Sequence, residues 1–138
     1  MYVDRRIETL FSKEKFQEIE LEKLPDDPLN FVDTKKYKER LKEYRKKTNR
    51  NDALILIEGK LGEINLISAF MNFEFMGGSM GRSVGSSIVK ATKLAVEKKL
   101  PFIIFTSSGG ARMQEGIVSL MQMPRTVAAV ELLNKNNI

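Results

Sequence analysis

The sequence predicts an α/β layered fold, and two observations indicate it. From residue 53 onward, β-rich runs and helical patterns alternate in the order strand, glycine turn, helix, strand, glycine turn, helix. Two such units in succession favour parallel strands joined by right-handed helical crossovers. The 138 residues, 42% hydrophobic and 30% charged, suit one compact domain with a core and a well-solvated surface.

The chain divides by composition into two parts. Residues 1–51 are predicted to form an N-terminal helical or adaptor segment, and residues 52–138 the core. Within the first part, Asp4 is placed to cap a helical turn that continues through Phe11. Phe16–Glu22 then alternates apolar and acidic residues, which is typical of a strand.

A basic segment follows the break at Pro25–Pro28. Asp33 or Thr34 is predicted to cap a helix through about Lys47. Lys35–Arg50 holds nine basic and two acidic residues, so this stretch carries +7 and the remaining chain −2 of the total +5. The pattern favours a solvated helix face over a surface that binds phosphate or an acidic partner.

The core is predicted to open with a hairpin. Ala53–Glu58 and Leu61–Phe70 are β-rich runs joined around Gly59–Gly62, and the pattern of the second run allows an extension into Asn72–Phe75. A helix ending near Lys99 follows, with an apolar face formed by Val84, Ile88, Ala91 and Ala95.

The second strand–turn–helix unit begins after Pro101. Phe102–Thr106 has the character of a buried strand, and Ser107–Gly110 forms a tight turn. Helical spacing resumes at Met113, and Pro124 is expected to kink that helix or split it in two.

The absence of cysteine and histidine excludes several chemistries. Neither residue occurs, so disulfides, zinc or iron–sulfur ligation through these residues, a cysteine nucleophile and a Ser-His-Asp relay are ruled out. No apolar run approaches the ~20 residues of a membrane span, and no leader pattern opens the sequence. A cytoplasmic protein without a membrane segment is therefore expected.

The two glycine turns are the candidate functional elements. Glycine allows the backbone to approach a ligand, and a helix starting at such a turn presents unpaired N–H groups and the positive end of its dipole. Phe75–Gly81 (Phe-Met-Gly-Gly-Ser-Met-Gly) and Ser107–Glu115 (Ser-Ser-Gly-Gly-Ala-Arg-Met-Gln-Glu) share this design. Neither matches a phosphate loop or a dinucleotide fingerprint. Tight strand-to-helix packing is the competing interpretation of each turn.

Side chains near these turns favour structural roles. Arg112 and Glu115 stand at the i,i+3 spacing of a local ion pair, which is preferred to substrate contact. The serines have no base and suit caps or hydrogen-bond donors. The methionines more often fill a core than line a groove for a flexible ligand arm; they are Met76, Met80, Met113, Met121 and Met123.

The glycine segments, together with Ser119–Met123, resemble the β subunit of bacterial acetyl-CoA carboxylase carboxyltransferase. Asp33–Leu41 and Asp52–Gly59 fit the same family. The resemblance implies the N-terminal part only of a crotonase-like spiral of stacked ββα units. It also implies a chain about half as long as the family subunit, without the four-cysteine zinc ribbon of full-length members, so zinc is expected for the family but has no ligands here.

The resemblance further implies transfer of a carboxyl group from carboxybiotin, held on the biotin carboxyl carrier protein, to acetyl-CoA, giving malonyl-CoA for fatty-acid synthesis. The implied partners are a carboxyltransferase α subunit, in an α2β2 assembly, and biotin carboxylase. Biotin is not attached to this chain in that scheme. The family binds the thioester oxyanion with backbone amides.

The implied site residues fall in the two glycine segments. The catalytic amides are assigned to Gly109, Gly110 and Ala111, and Gly110→Pro is predicted to abolish transfer with most folding intact. Substrate binding is assigned to Phe75, Met76, Gly77, Gly78, Ser79, Met80, Gly81 and Arg112. Three alternatives stay open: a non-catalytic module that binds acyl-CoA or a subunit, a nucleic-acid binder acting through Lys35–Arg50, and another crotonase-like enzyme such as a hydratase.

Overall fold

The computed structural model describes residues 2–11 and 16–138. The helices in this part of the chain are α1 (Val3–Leu10), α2 (Tyr37–Thr48), α3 (Arg82–Lys98), α4 (Gly116–Leu120) and α5 (Gln122–Lys135). The strands are β1 (Phe16–Glu18), β2 (Leu54–Leu61), β3 (Ile64–Met71) and β4 (Phe102–Phe105). Single 3-10 turns occupy Met76–Gly78 and Met113–Glu115.

The four strands form one mixed sheet in the order β1-β2-β3-β4. The β1–β2 and β2–β3 pairs are antiparallel, and β3 and β4, joined through α3, are parallel. This confirms the hairpin and the strand–helix–strand unit. Leu61 pairs with Ile64, so the hairpin turn is the two residues Gly62 and Glu63. The turn predicted around Gly59–Gly62 was placed too early, because β2 continues through Leu61.

Both faces of the sheet are covered, because alternate residues of its strands point to opposite sides. On one face, Leu54 and Leu56 of β2 join the main core, to which α2, α3 and α5 contribute Tyr37, Leu41, Val84, Ile88, Ala91, Ala95 and Leu133. On the other face, Ile55 and Ile57 pack with residues from α1 and its C-terminal end: Val3, Ile7 and Phe11. Because successive residues of β2 are buried on opposite faces of the sheet, this alternation fixes the register of β2 against its neighbouring strands.

The N-terminal segment differs in detail from its prediction. Asp4 lies in the first turn of α1 and does not cap it, since the helix begins at Val3. Only three residues of Phe16–Glu22 form a strand. Helix α2 begins at Tyr37, not after Asp33, because the Asp33 carboxylate accepts the Lys35 N–H and a bond from Arg40 in a turn of its own.

Two further boundaries differ for local reasons. Strand β3 ends at Met71, because Asn72 accepts the Phe75 N–H at its carbonyl and the Glu74 N–H at its side chain, which turns the chain. The C-terminal helix is split, as expected, but the break is at Met121, between α4 and α5. Pro124 stands in the first turn of α5, where no intrahelical N–H is needed.

Segment 1–51 packs onto the core through strand β1 and through Tyr37 and Leu41. The proposed division at residues 51 and 52 stays a prediction. In the part of the chain that is described, no helix has the length and apolar character needed to cross a membrane.

Candidate functional site

The two glycine segments, Phe75–Gly81 and Ser107–Glu115, lie side by side and are joined by backbone hydrogen bonds. The Met80 N–H donates to the Gly110 carbonyl at 2.8 Å, and the Arg112 N–H donates to the Met80 carbonyl at 2.9 Å, which makes a parallel bridge between Met80 and Ala111. The Gly109 N–H donates to the Gly77 carbonyl at 2.9 Å. The two turns therefore form one structural unit.

Some amides in this unit are occupied and others are open. The Gly78 N–H donates to the Phe75 carbonyl at 2.9 Å, and the Gly110 N–H donates to the Ser108 hydroxyl at 3.1 Å. The N–H groups of Gly77 and Ala111 have no acceptor among residues 2–11 and 16–138. In this parallel bridge, the N–H and the carbonyl of Met80 form hydrogen bonds with residues 110 and 112. The N–H of Ala111 therefore points away from Met80.

The backbone conformation explains why these positions are glycine. Gly77 and Gly78 both have φ of +65°, and Gly110 has φ of +114°. Side chains with a Cβ disfavour this region. The chain reverses at these residues and leaves the amides at the surface of the turns.

Three of the predicted site residues have the relevant group hydrogen-bonded or buried inside the fold. The N–H of Gly109, predicted to stabilise an oxyanion, is already bonded to Gly77. The side chains of Phe75 and Arg112, predicted to bind substrate, are both 0% exposed. A ligand outside the fold therefore cannot contact these two side chains.

The other predicted residues of the first segment line its surface or support it. Met76, Gly77, Ser79 and Met80 are half-buried, and Gly78 and Gly81 are buried. Met76 and Met80 pack against the main core. Contact of these residues with a ligand stays a prediction.

Arg112 is the centre of a buried polar cluster. Its guanidinium holds both carboxylate oxygens of Asp52, with Nη2 donating to Oδ1 at 2.6 Å and Nη1 to Oδ2 at 3.1 Å. Nε donates to the Ser79 hydroxyl at 3.1 Å and Nη2 to the Ser79 carbonyl at 2.8 Å. The guanidinium carbon of Arg112 lies over the Phe75 ring, 5.6 Å from the ring centroid.

Glu115 and Tyr37 complete this cluster. The Tyr37 hydroxyl donates to Glu115 Oε1 at 2.7 Å and accepts from Arg112 Nη1 at 3.0 Å. Glu115 Oε2 accepts the Arg82 N–H at 2.6 Å, at the first residue of α3. The predicted Arg112–Glu115 ion pair is present at 3.5 Å, but Asp52 is the closer partner. We call Tyr37, Asp52, Arg112 and Glu115 the buried cluster.

Burial and charge act on the cluster in opposite directions. Burial raises the pKa of the Tyr37 phenol, so this group stays protonated and remains a donor to Glu115. Burial disfavours the charge on Arg112, but the Asp52 carboxylate outweighs it and the pKa of the guanidinium is raised. The arginine is therefore a permanent cation with its countercharge inside the fold.

Sequence reasoning missed Asp52 and Tyr37. Asp52 stands two residues before β2, whose first four residues are buried, and this acidic residue next to an apolar run was the available signal. Tyr37 was assigned to the apolar stripe of α2, where its ring does pack in the core. The hydroxyl partner, Glu115, is 78 residues away and no local pattern indicates it.

The basic segment is partly neutralised in the fold. Arg40 pairs with Asp33, and Arg45 binds both oxygens of Asp26 at 2.7 Å. Lys35 pairs with Glu43, and Arg50 pairs with Asp4 and Glu18. Four of the nine basic residues are thus engaged, which reduces the field that a nucleic acid would meet.

Helices α4 and α5 and the preceding turn expose large apolar side chains. We call this set the apolar face; its members are Met113, Ile117, Leu120, Met121, Met123, Val127 and Val130. Met113, Ile117 and Val127 are 64%, 63% and 69% exposed. Three of the predicted core methionines, Met113, Met121 and Met123, therefore lie on the surface.

The described residues contain no group of three or more acidic side chains arranged to hold a metal ion. Since the chain also lacks cysteine and histidine, its residues do not fit a zinc ribbon.

Two glycine turns with open amides lie at the edge of a mixed sheet, and a comparison with protein families gives the class of the domain. The carboxyl transferase domain model matches residues 27–138, so the chain belongs to this family. It is 50% identical over 130 residues to the acetyl-coenzyme A carboxylase carboxyl transferase subunit beta of Bradyrhizobium diazoefficiens, covering 94% of this chain and 42% of that relative. The subunit beta of Granulibacter bethesdensis is 52% identical over 122 residues, 88% of this chain and 40% of that relative. The chain thus spans less than half the length of these relatives.

Solved structures show the same fold. A transcarboxylase 12S, with methylmalonyl-coenzyme A and methylmalonic acid bound, superposes with a TM-score of 0.74 at 25% identity, covering 94% of this chain and 23% of that chain. A Pseudomonas malonate decarboxylase hetero-dimer superposes with a TM-score of 0.65 at 22% identity, covering 99% of this chain and 49% of that chain. The crotonase-like fold predicted from the sequence is confirmed.

Proposed function

We propose that this chain belongs to the carboxyltransferase component of acetyl-CoA carboxylase and binds acetyl-CoA while its methyl group is carboxylated to malonyl-CoA. The observation that carries this proposal is the pair of open amides, Gly77 and Ala111, on two turns that backbone hydrogen bonds hold together. The similarity to the named β subunits supports the choice of acetyl-CoA.

The chemistry requires stabilisation of a negative oxygen. Loss of a proton from the acetyl methyl group leaves negative charge on the thioester oxygen, and backbone N–H donors stabilise such charge without rearranging during the reaction. We assign this role to the Ala111 and Gly77 amides, with Gly110 able to join if its bond to Ser108 opens. The carboxyl group comes from carboxybiotin on a carrier protein: once its N–C bond breaks, the freed ureido nitrogen takes up the methyl proton, and the enolate carbon bonds to the released carboxyl carbon.

The partners follow from the proposed reaction. A biotin carboxyl carrier protein brings the carboxyl group, biotin carboxylase loads that carrier, and an α subunit forms the other side of the active site. We propose that the α subunit covers the apolar face of α4 and α5, because a set of exposed apolar side chains of this size marks an interaction surface. The expected compartment is the cytoplasm.

The test measures malonyl-CoA formed by this chain with a carboxyltransferase α subunit, acetyl-CoA and carboxylated carrier protein. Ala111→Pro removes the open N–H and is expected to lower the rate by ~10²–10³-fold, as loss of one oxyanion donor does. Ala111→Ser keeps the N–H and serves as the matched control, with activity retained. Full activity of Ala111→Pro would overturn the assignment.

The second candidate is a module that binds acyl-CoA or a subunit without turnover, favoured by the exposed apolar side chains of α4 and α5. Calorimetric titration with acetyl-CoA separates the two. Binding with no malonyl-CoA formed in the complete mixture supports the module.

A further inference from the structure

We propose that Tyr37, Asp52 and Glu115 are positioning residues of carboxyl transfer, which act through Arg112 to hold the Gly77 and Ala111 amides in a fixed relation. The inference rests on the proposed function, since it assigns a task to residues that lie behind the amides. The proposed function concerns the two amides themselves. This inference adds that buried side chains, which no ligand contacts, keep those amides in position.

The first step of the argument is that Arg112 links the two glycine segments. Its backbone belongs to the second segment, while its side chain donates to the hydroxyl and the carbonyl of Ser79 in the first. Ser79 and Met80 directly follow the 3-10 turn that contains Gly77. A shift of the guanidinium therefore shifts one turn relative to the other.

The second step is that the guanidinium has no freedom of its own. All five of its N–H groups face acceptors: Ser79, Asp52, Tyr37 and Glu115. Bidentate arginine–carboxylate pairs fix orientation as well as distance. Asp52 in turn accepts the Ala53 N–H at 2.7 Å, and the Ala53 carbonyl accepts the Asn72 N–H at 2.8 Å, so the carboxylate is anchored where β2 and β3 lie together.

The third step concerns the far end of the second segment. Glu115 accepts from the first residue of α3 at 2.6 Å and from the Tyr37 hydroxyl at 2.7 Å. A Cβ on Gly81, directly before α3, would stand 2.5 Å from Glu115 Oε1, so the carboxylate fits against bare backbone. The segment that carries Ala111 is thus fastened on one side to the sheet and on the other to α2 and α3.

This arrangement suits positioning and excludes direct contact. Arg112 is 0% exposed and its donors are used, so it offers nothing to a ligand. A displacement of about 1 Å in a reacting group can lower a rate ~10²-fold. Loosening the buried cluster should therefore weaken binding of the oxyanion more than binding of the ground-state thioester.

Tyr37→Phe is the mildest test, because it removes one hydroxyl and keeps the ring in the core. Tyr44→Phe, on the same helix, is the matched control, since the Tyr44 hydroxyl has no hydrogen-bond partner among the described residues. Both variants are measured with the α subunit for kcat and KM. Their affinities for CoA and for carboxymethyl-CoA, whose carboxylate imitates the enolate oxygen, are measured by calorimetry.

For Tyr37→Phe we expect kcat to fall and the Kd of carboxymethyl-CoA to rise by ~10-fold or more, with KM and the Kd of CoA within about twofold of the unaltered chain. Tyr44→Phe should match the unaltered chain in all four quantities. If Tyr37→Phe folds poorly, Glu115→Gln takes its place, because this substitution keeps the shape of the side chain and removes its charge. We expect Glu115→Gln to give the changes in kcat, KM and the two Kd values that are stated for Tyr37→Phe.

The inference is overturned if Tyr37→Phe and Glu115→Gln keep both kcat and the affinity for carboxymethyl-CoA. It is also overturned if the apparent kcat falls only in proportion to the folded fraction while KM and both Kd values stay unchanged, since that is the signature of a purely structural role. Absence of malonyl-CoA with the unaltered chain and the α subunit would instead refute the proposed function, so the two failures are distinguishable.

Discussion

Gly78 lies directly against the carbonyl of Ser107: a Cβ placed on Gly78 would stand 2.0 Å from that oxygen. No side chain fits this gap, because real Cβ atoms never approach backbone oxygen so closely. The contact brings the first glycine segment against the start of the second. It is therefore the tightest point of the candidate site.

Gly78→Ala should destabilise the protein by about 3 kcal/mol or more, since it adds a backbone clash to the strain of a left-handed residue. Gly62→Ala is the matched control: Gly62 has φ of +60° but nothing within 4 Å of the added Cβ, so only about 1–2 kcal/mol is expected. Urea unfolding of both variants measures the difference. Equal losses would show that the Ser107 contact contributes nothing.

Asp52→Asn should destabilise the chain by about 3–5 kcal/mol, because it leaves the Arg112 charge buried without its countercharge. Asp33→Asn also breaks an arginine–aspartate pair, with Arg40, but that pair is on the surface and its loss should leave the unfolding midpoint nearly unchanged. Chemical denaturation compares the two variants. A small effect of Asp52→Asn would mean that Glu115 alone neutralises Arg112.

Asp26 should contribute to stability near neutral pH and lose that contribution in acid. Two bonds from Arg45, at 2.7 Å each, hold the pKa of the Asp26 carboxyl below its usual 3.8. Because the folded pKa is the lower one, this stabilisation is complete above the unfolded pKa and disappears as pH falls through the folded value.

The measurement is the thermal midpoint of Asp26→Asn and the unaltered chain between pH 7 and about pH 2. Their difference should shrink as the pH falls below about 4. Glu22→Gln, which removes an exposed carboxyl that has no partner among the described residues, is the matched control variant. A constant difference for Asp26→Asn would contradict the expectation.

Ile117→Glu should weaken association with the α subunit, since Ile117 is 63% exposed on the apolar face and burying a carboxylate in an interface is unfavourable. Ile64→Glu is the control, because Ile64 is 59% exposed but lies at the hairpin turn on β3. We expect at least a ~10-fold rise in Kd for Ile117→Glu, or about 1.4 kcal/mol, and none for Ile64→Glu. Size-exclusion chromatography or calorimetry measures the affinity of each variant for the α subunit. Equal affinities would place the interface elsewhere.

The parts of the fold that were predictable are those with a strong local period. The hairpin and α3 follow from alternation and from apolar residues three and four apart, and both are confirmed. Boundaries set by individual side-chain hydrogen bonds were missed, as at Asp33 and Asn72. Such bonds compete with regular structure without altering the hydrophobic pattern.

The candidate site was predictable as a pair of glycine turns but not in its hydrogen bonding. Whether an amide is free depends on contacts between segments about 30 residues apart, such as Gly109 with Gly77. Gly110 has φ of +114°, which a proline ring cannot adopt, so the predicted Gly110→Pro variant would distort the turn as well as remove the N–H. Arg112 was placed near Glu115 correctly, but Asp52 lies 60 residues earlier.

Three glycines at and near the start of α3 have a consequence for how the chain acquires its fold during synthesis. Gly78, Gly81 and Gly85 each lie against a later residue, namely Ser107, Glu115 and Gln122. The N-terminal end of α3 therefore cannot reach its final place until the ribosome has released the chain beyond residue 122. Until then α3 depends on its apolar contacts with the hairpin. Nascent chains arrested before that point should retain the sheet, while the candidate site remains unformed.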